Sequence, residues 1–172
     1  MNENIRDKWS ANLDEEISFW RKTLLNWKND SNTERMNPKL PFRWMFKELL
    51  PDASEYDILD VGAGPISALG TEYPGKKLNI KAVDPLADIY NNILSEYGMV
   101  PRVVTEKLDG ERLSDSLSLN SFDLVYSRNA LDHSYDPIGC IDEILKVLKD
   151  NCYCVLDQLP NEGTGSNWKG LH

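Results

Sequence analysis

The stretch YDILDVGAGPIS, Tyr56 to Ser67, carries a short apolar strand pattern straight into two glycines and then stops using them. Gly62 and Gly64 have no Cβ, so the backbone there reaches dihedrals closed to other residues and lets a ligand approach closely. A dinucleotide turn of the form GxGxxG needs a third glycine at position 67, where this chain has Ser67. It also relies on backbone amides, and Pro65 has none to give. The turn is poorly equipped for a pyrophosphate. A helix opening after it would offer free N–H groups and a positive dipole end to a single carboxylate.

Downstream of the turn, strand and helix patterns alternate. NIKAV is a second strand, and the segment before it has room only for a short helix that Tyr73-Pro74-Gly75 ends. LADIYNNILSEYG follows, with Leu86, Ile89, Tyr90, Ile93, Leu94 and Tyr97 on one helical face and Gly98 as its stop. PRVVTEKL reads as a third strand, FDLVYS as a fourth and CYCVLDQ as a fifth. Between the last two, PIGCIDEILKVLKDN is a helix with Pro137 in its first turn, expected to bury Ile138, Ile141, Ile144, Leu145 and Leu148. Parallel neighbours need crossover connections, so this order predicts an α/β fold with a parallel sheet and helices on both faces. Ligands of such sheets bind beyond the carboxyl ends of the strands, where the turn after DILDV falls. Asp84 ends the second strand, 20 residues beyond Gly64, where an acidic side chain accepts hydrogen bonds from ribose hydroxyls.

Residues 1–50 have a different character and are expected to form an N-terminal helical cap on a domain spanning 51–172. Trp9, Leu13, Ile17, Trp20, Leu24 and Trp27 recur at steps of three and four, which makes one apolar stripe. Asn12 with Glu15 has the spacing of a capping box, so a helix break is expected near Asn12. DSNTERMNP, Asp30 to Pro38, reads as a loop and PFRWMFKELL as a second short helix. The stripe serves either to pack the helix on the domain or to close a lid over a substrate site.

The bulk properties exclude several classes. The 172 residues carry 28 acidic against 19 basic side chains, a net charge of −9, which leaves no basic footprint for nucleic acid and disfavours an anionic membrane surface. No apolar run approaches the ~20 residues of a membrane span, and the first residues lack a signal-peptide core, so a cytoplasmic protein is expected. Cys140, Cys152 and Cys154 are odd in number and have no nearby histidines, so they read as reduced packing residues with no metal site.

Four segments in order, Asp60-Val61-Gly62-Ala63-Gly64, Asp84, LDGERL (Leu108 to Leu113) and FDLVYSRNALDHSYDP (Phe122 to Pro137), resemble the successive motifs of the class I S-adenosylmethionine-dependent methyltransferases. The resemblance covers roughly residues 56–160. It implies a Rossmann-like doubly wound sheet of order 3-2-1-4-5 and S-adenosylmethionine as cofactor. Asp60, Gly62, Ala63 and Gly64 would line the methionine part, and Asp84 with Pro85 the ribose. Asp109 would accept from the adenine amino group beside Gly110 and Glu111, and Ser127, Arg128 and Asn129 would flank the sulfonium. A cofactor with a carboxylate, a ribose and an adenine but no phosphate suits a turn that contains proline. The closing antiparallel hairpin of the family has no counterpart after CYCVLDQ, which leaves an open sheet edge and the expectation of self-association, such as a homodimer.

Methyl transfer mainly requires alignment, which supplies about 7 to 11 kcal/mol of a barrier, and a general base where the acceptor must lose a proton. His133 is the candidate base, with Asp132 beside it, while Asp157 and Gln158 stand after the fifth strand. Either His133 serves the chemistry or it only shapes the loop before Pro137. The tail NEGTGSNWKGLH resembles segments of bacterial methyltransferases linked to surface polysaccharides, which implies a small-molecule or sugar acceptor. Two alternatives stay open: a cofactor-binding module without catalysis, and an NAD-dependent oxidoreductase, which Ser67 and Pro65 disfavour.

Overall fold

The computed structural model describes residues 9–11, 13–30, 34–160 and 164; Asn12 and nearly all of the tail lie outside them. The element order is α1 (Leu13–Asn29), α2 (Trp44–Lys47), β1 (Glu55–Val61), β2 (Lys77–Asp84), α3 (Ala87–Tyr97), β3 (Thr105–Lys107), β4 (Phe122–Arg128), α4 (Pro137–Val147) and β5 (Leu148–Asp157), with short 3-10 turns at Glu34–Met36, Gly110–Asp115 and Leu131–His133. The strands form one sheet of order β3-β2-β1-β4-β5, and every pairing is parallel. The register sets Val61 beside Val83 on one side and Ser127 on the other. The ends of β1, β2 and β4 thus form one row, with the reversal of strand order falling between β1 and β4, the place where open α/β sheets bind ligands.

Alternation along the strands sends side chains to opposite faces. Leu59, Val61 and Val125 pack on one face with Leu113, Cys140, Ile144 and Val147, whereas Tyr56, Ile58, Leu124 and Tyr126 meet Phe42 and Phe46 on the other. A third cluster joins α1 to α3 through Leu24, Ile93, Leu94 and Met99. The stripe on α1 is therefore a packing face, with Leu24 fully buried and Ile17 and Trp27 against the same cluster. Gly98 ends α3 in the left-handed region at φ 65°, as its sequence position predicts.

Three expectations need correction. No helix follows the glycine turn: residues 65–72 run through turns and bends to an isolated bridge between Pro41 and Glu72. Their carbonyls find a long-range donor instead of a helix ladder. The Arg102 guanidinium bonds Ser67 O at 3.2 Å and Leu69 O at 3.1 Å, and it also reaches Arg35 O and Asn37 O. Close packing of Gly70 on the Pro41 backbone, where a Cβ would meet the carbonyl oxygen at 2.0 Å, holds the segment in this path. Second, α4 is rotated from the expected face. Cys140, Glu143, Ile144 and Val147 point inward while Ile138 and Leu145 are exposed, because the Glu143 carboxylate turns in to accept from Ser114 N at 2.7 Å. Third, the PRVVTEKL strand shrinks to Thr105–Lys107, with Val104 exposed. Among the described residues, no helix is long and apolar enough to cross a membrane.

Candidate active site

Each strand end contributes a fixed group. Gly62 and Gly64 adopt φ of +67° and +64°, and a Cβ on Gly62 would lie 2.3 Å from Cβ of Ala130, so the turns after β1 and β4 touch here. Asn129 sits at φ 47°, its Oδ1 accepting from Leu159 N at 2.8 Å, which bends the chain sharply after β4. Asp60, the penultimate residue of β1, is buried and accepts from Ser67 Oγ at 2.5 Å. The serine at the third-glycine position is therefore a structural partner of Asp60, not a damaged phosphate contact. Burial raises the Asp60 carboxyl to about 7, against the pull of the Ser67 hydroxyl and the Arg35 charge.

These groups surround a cavity of about 230 Å³ lined by Asp60, Val61, Gly62, Ala63, Gly64, Asp84, Pro85, Gly110, Glu111, Ser127, Arg128, Asn129 and His133. Thus every residue expected at the cofactor except Asp109, together with His133, faces one space, whereas Asp132, Asp157 and Gln158 do not line it. Asp109 stands at the head of the 3-10 turn and Asp157 is turned aside, accepting from Tyr126 Oη at 3.2 Å and pairing with Arg128 Nε at 3.5 Å. Glu111 accepts from Ser134 Oγ and from Tyr135 N, tying the loop after β4 to that turn. Gly110 is required by packing, since a Cβ there would lie 2.7 Å from Cys140 Sγ. The Ser127 hydroxyl is fully buried and has no hydrogen-bond partner among the described residues. An unsatisfied buried hydroxyl costs about 1–3 kcal/mol, and this one lies within the wall of the cavity.

Several lining residues lie outside the sequence motifs, among them Trp9, Glu16, Trp20 and Arg35. The first three come from the N-terminal helical region and roof the cavity, Trp20 resting on the glycine turn with a ring atom 3.0 Å from where a Gly64 Cβ would stand. The stripe thus packs the helix on the domain and also supplies residues to the cavity wall. Arg35 donates to Ile66 O at 3.2 Å, and no carboxylate forms an ion pair with it among the described residues. Burial and the charge of Arg128 lower its pKa, so its position favours an incoming anion. Arg35 brings a positive charge to the cavity wall, beside a glycine turn that no helix follows. Its only sequence signal is a basic residue in a polar loop, which is the commonest place for one.

Comparisons with known proteins agree with this architecture. A family model described as a methyltransferase domain matches residues 59–156, more than half of the chain. Among solved structures, the YcgJ protein of Bacillus subtilis is 24% identical with a TM-score of 0.46, covering 65% of this chain and 47% of its own. A protein of Methanococcus maripaludis assigned as an S-adenosyl-L-methionine-dependent methyltransferase is 19% identical with a TM-score of 0.56, over 80% of this chain and 63% of that one. The chain therefore spans less than two thirds of either structure. No curated protein matches. The matched span runs from β1 through β5 and holds every strand-end residue of the cavity, and on this ground the chain belongs to the methyltransferase domain family.

Proposed function

We propose that the protein is an S-adenosylmethionine-dependent methyltransferase acting on a small-molecule or sugar-type acceptor. The observation that carries this reading is the row of strand ends itself, where the buried Asp84 carboxylate of β2, the glycine turn after β1 and Arg35 line one cavity. The surrounding groups match the three parts of this cofactor. Asp84 accepts the ribose hydroxyls, Arg35 pairs with the methionine carboxylate, and Gly110 and Glu111 border the adenine with Asp109 nearby. Pro65 and the Ser67–Asp60 bond remove the donors a pyrophosphate would need, which disfavours NAD.

When bound, the cofactor supplies an electrophilic methyl group on a sulfonium. The chain's own contribution is placement. The ends of β1 and β4 hold Gly62 and Asn129 in left-handed conformations fixed by contact with their neighbours, so the cavity floor is preorganised. Trp9, Glu16 and Trp20 line the other side. A cavity of modest volume beneath a helix, on an acidic protein, favours a small or neutral acceptor over a polymer of phosphates. Calorimetric titration tests the reading: S-adenosylhomocysteine should bind with NAD silent. No heat from S-adenosylhomocysteine would overturn it.

A further inference from the structure

Resting on the methyltransferase reading, we infer that Arg102 is a positioning residue for the cofactor's carboxylate: from outside the cavity it clamps together the two irregular segments that hold Arg35. Arg102 lies in the loop between α3 and β3 and is not among the residues that line the cavity. Its Nη1 donates to Arg35 O and to Asn37 O, the second at 2.9 Å. Its Nη2 donates to Ser67 O at 3.2 Å and to Leu69 O at 3.1 Å. One planar group thus serves two chain segments that are distant in sequence. Further along, Leu40 O accepts from Thr71 N and Glu72 N, so backbone bonds join the segments at that end. At the Arg35 end, among the described residues, the hydrogen bonds joining them are those of Arg102 and of Arg35 itself.

Arg35 closes the circuit. Its guanidinium donates to Ile66 O at 3.2 Å, and it stands close enough to Asp60 and Arg128 for their charges to act on it. The backbone of Arg35 is fixed to Arg102, and its side chain is fixed to the residue before Ser67. The gap that this side chain spans is therefore set by Arg102. The same clamp reaches a second lining group, because the Ser67 hydroxyl donates to the Asp60 carboxyl at 2.5 Å. A cation held in advance binds an anion more tightly, since ordering a long side chain on binding costs affinity. Loosening the clamp frees Arg35, and a ligand with a carboxylate is the one that senses it. Arginine suits the task because its rigid fork presents donors in two directions, whereas a lysine ammonium is a single point.

Titration calorimetry with two ligands separates positioning from general support of the fold. S-adenosylhomocysteine carries the carboxylate and methylthioadenosine does not. Arg102→Met should bind S-adenosylhomocysteine roughly tenfold more weakly and methylthioadenosine within about threefold of the wild type. Arg102→Lys keeps the charge without the fork and should also lose selectivity; a lysine variant equal to the wild type would mean that charge alone acts, and overturns the positioning role. Arg35→Met and the double variant Arg35→Met/Arg102→Met complete a cycle. Acting through Arg35, the loss of Arg102 should weaken S-adenosylhomocysteine by less than about threefold once Arg35 is already Met. Losses that multiply in full, an Arg35→Met protein of undiminished affinity, or equal loss of both ligands in a folded variant each overturn the inference. If Arg102→Met does not fold, Arg102→Lys is read by the same ligand ratio. A wild type that fails to bind S-adenosylhomocysteine removes the cofactor reading instead, whereas a wild type that binds it, with the ligand ratio unchanged in the variants, removes the role of Arg102 alone.

Discussion

Asp84 Oδ2 accepts the backbone amide of Gly64 at 3.0 Å, tying the end of β2 to the glycine turn after β1. Its other oxygen accepts from Leu86 N at 2.9 Å. A carboxylate has about four acceptor positions, so two remain for a pair of ribose hydroxyls. Burial, with a contribution from the Glu16 charge, raises this carboxyl to about 6 even though the Leu86 and Gly64 amides and His133 favour its ionised form. Only the ionised group accepts at every position. Affinity for S-adenosylhomocysteine should therefore rise as pH climbs through about 6 and level off above it. Asp84→Asn should bind roughly 10- to 100-fold more weakly, since hydrogen bonds to charged groups contribute about 1.5–3 kcal/mol, and its pH dependence should flatten. Titration calorimetry across that range checks both; an unchanged affinity in Asp84→Asn would refute the ribose role.

Arg35 should discriminate the amino-acid end of the ligand. Replacing it with Met keeps much of the apolar stem against Trp27 and removes the charge. Affinity for S-adenosylhomocysteine should fall roughly 10- to 100-fold, the loss expected for a charge-assisted pair of about 1.5–3 kcal/mol. Affinity for methylthioadenosine, which has no carboxylate, should stay within about threefold. Equal losses for both ligands would mean that Arg35 shapes the loop without touching the carboxylate.

The parallel sheet, the glycine turn and Asp84 were legible because they rest on local pattern: apolar runs alternating with helices, glycines at a turn, an acid at a strand end; the strand order and the residues after the fourth strand followed from the family resemblance. What was illegible rests on contacts between distant segments. A helix after Pro65 is locally plausible, and long-range contacts make the irregular path stable instead: the Arg102 guanidinium satisfies the Ser67 and Leu69 carbonyls from 35 and 33 residues away, and Gly70 packs on the Pro41 backbone. Likewise Ile138 and Leu145 look like core by composition, yet Glu143 is drawn inward by the Ser114 amide and rotates α4 about its axis. Glu16 and Arg35 carry no motif at all. A charge on a polar helix face or in a loop is ordinarily solvated, and only the folded position of α1 and the following loop turns both into the cavity.

The contact between the two turns can be separated from backbone strain. Gly62→Ala puts a methyl group 2.3 Å from Cβ of Ala130 in a left-handed residue, while Gly75→Ala meets nothing within 4 Å at φ +74°. The second substitution should cost only the left-handed penalty of about 1–2 kcal/mol. The first should cost about 2–5 kcal/mol, because overpacking adds about 1–3 more. Urea unfolding of the two variants measures the difference. Equal destabilisation would show that the turns after β1 and β4 separate without penalty.

Asp60 gives stability an unusual pH dependence. Its carboxyl is raised by burial to about 7, so the folded state holds a proton that the unfolded chain releases near the ordinary carboxyl value of 3.8. Where the folded state binds more protons, stability falls as pH rises. The contribution is therefore fully present below about 3.8 and is lost progressively up to about 7, with a slope of at most about 1.4 kcal/mol per pH unit for one proton. Asp84 acts in the same sense up to about 6. Asp60→Asn keeps an acceptor for Ser67 Oγ without the ionisation, so its stability should decline less steeply between these limits than the wild type's. Urea midpoints measured at several pH values give the comparison directly; parallel curves would mean that Asp60 ionises in the folded protein at an ordinary carboxylate pH, with the Arg35 charge and the Ser67 hydroxyl overcoming its burial.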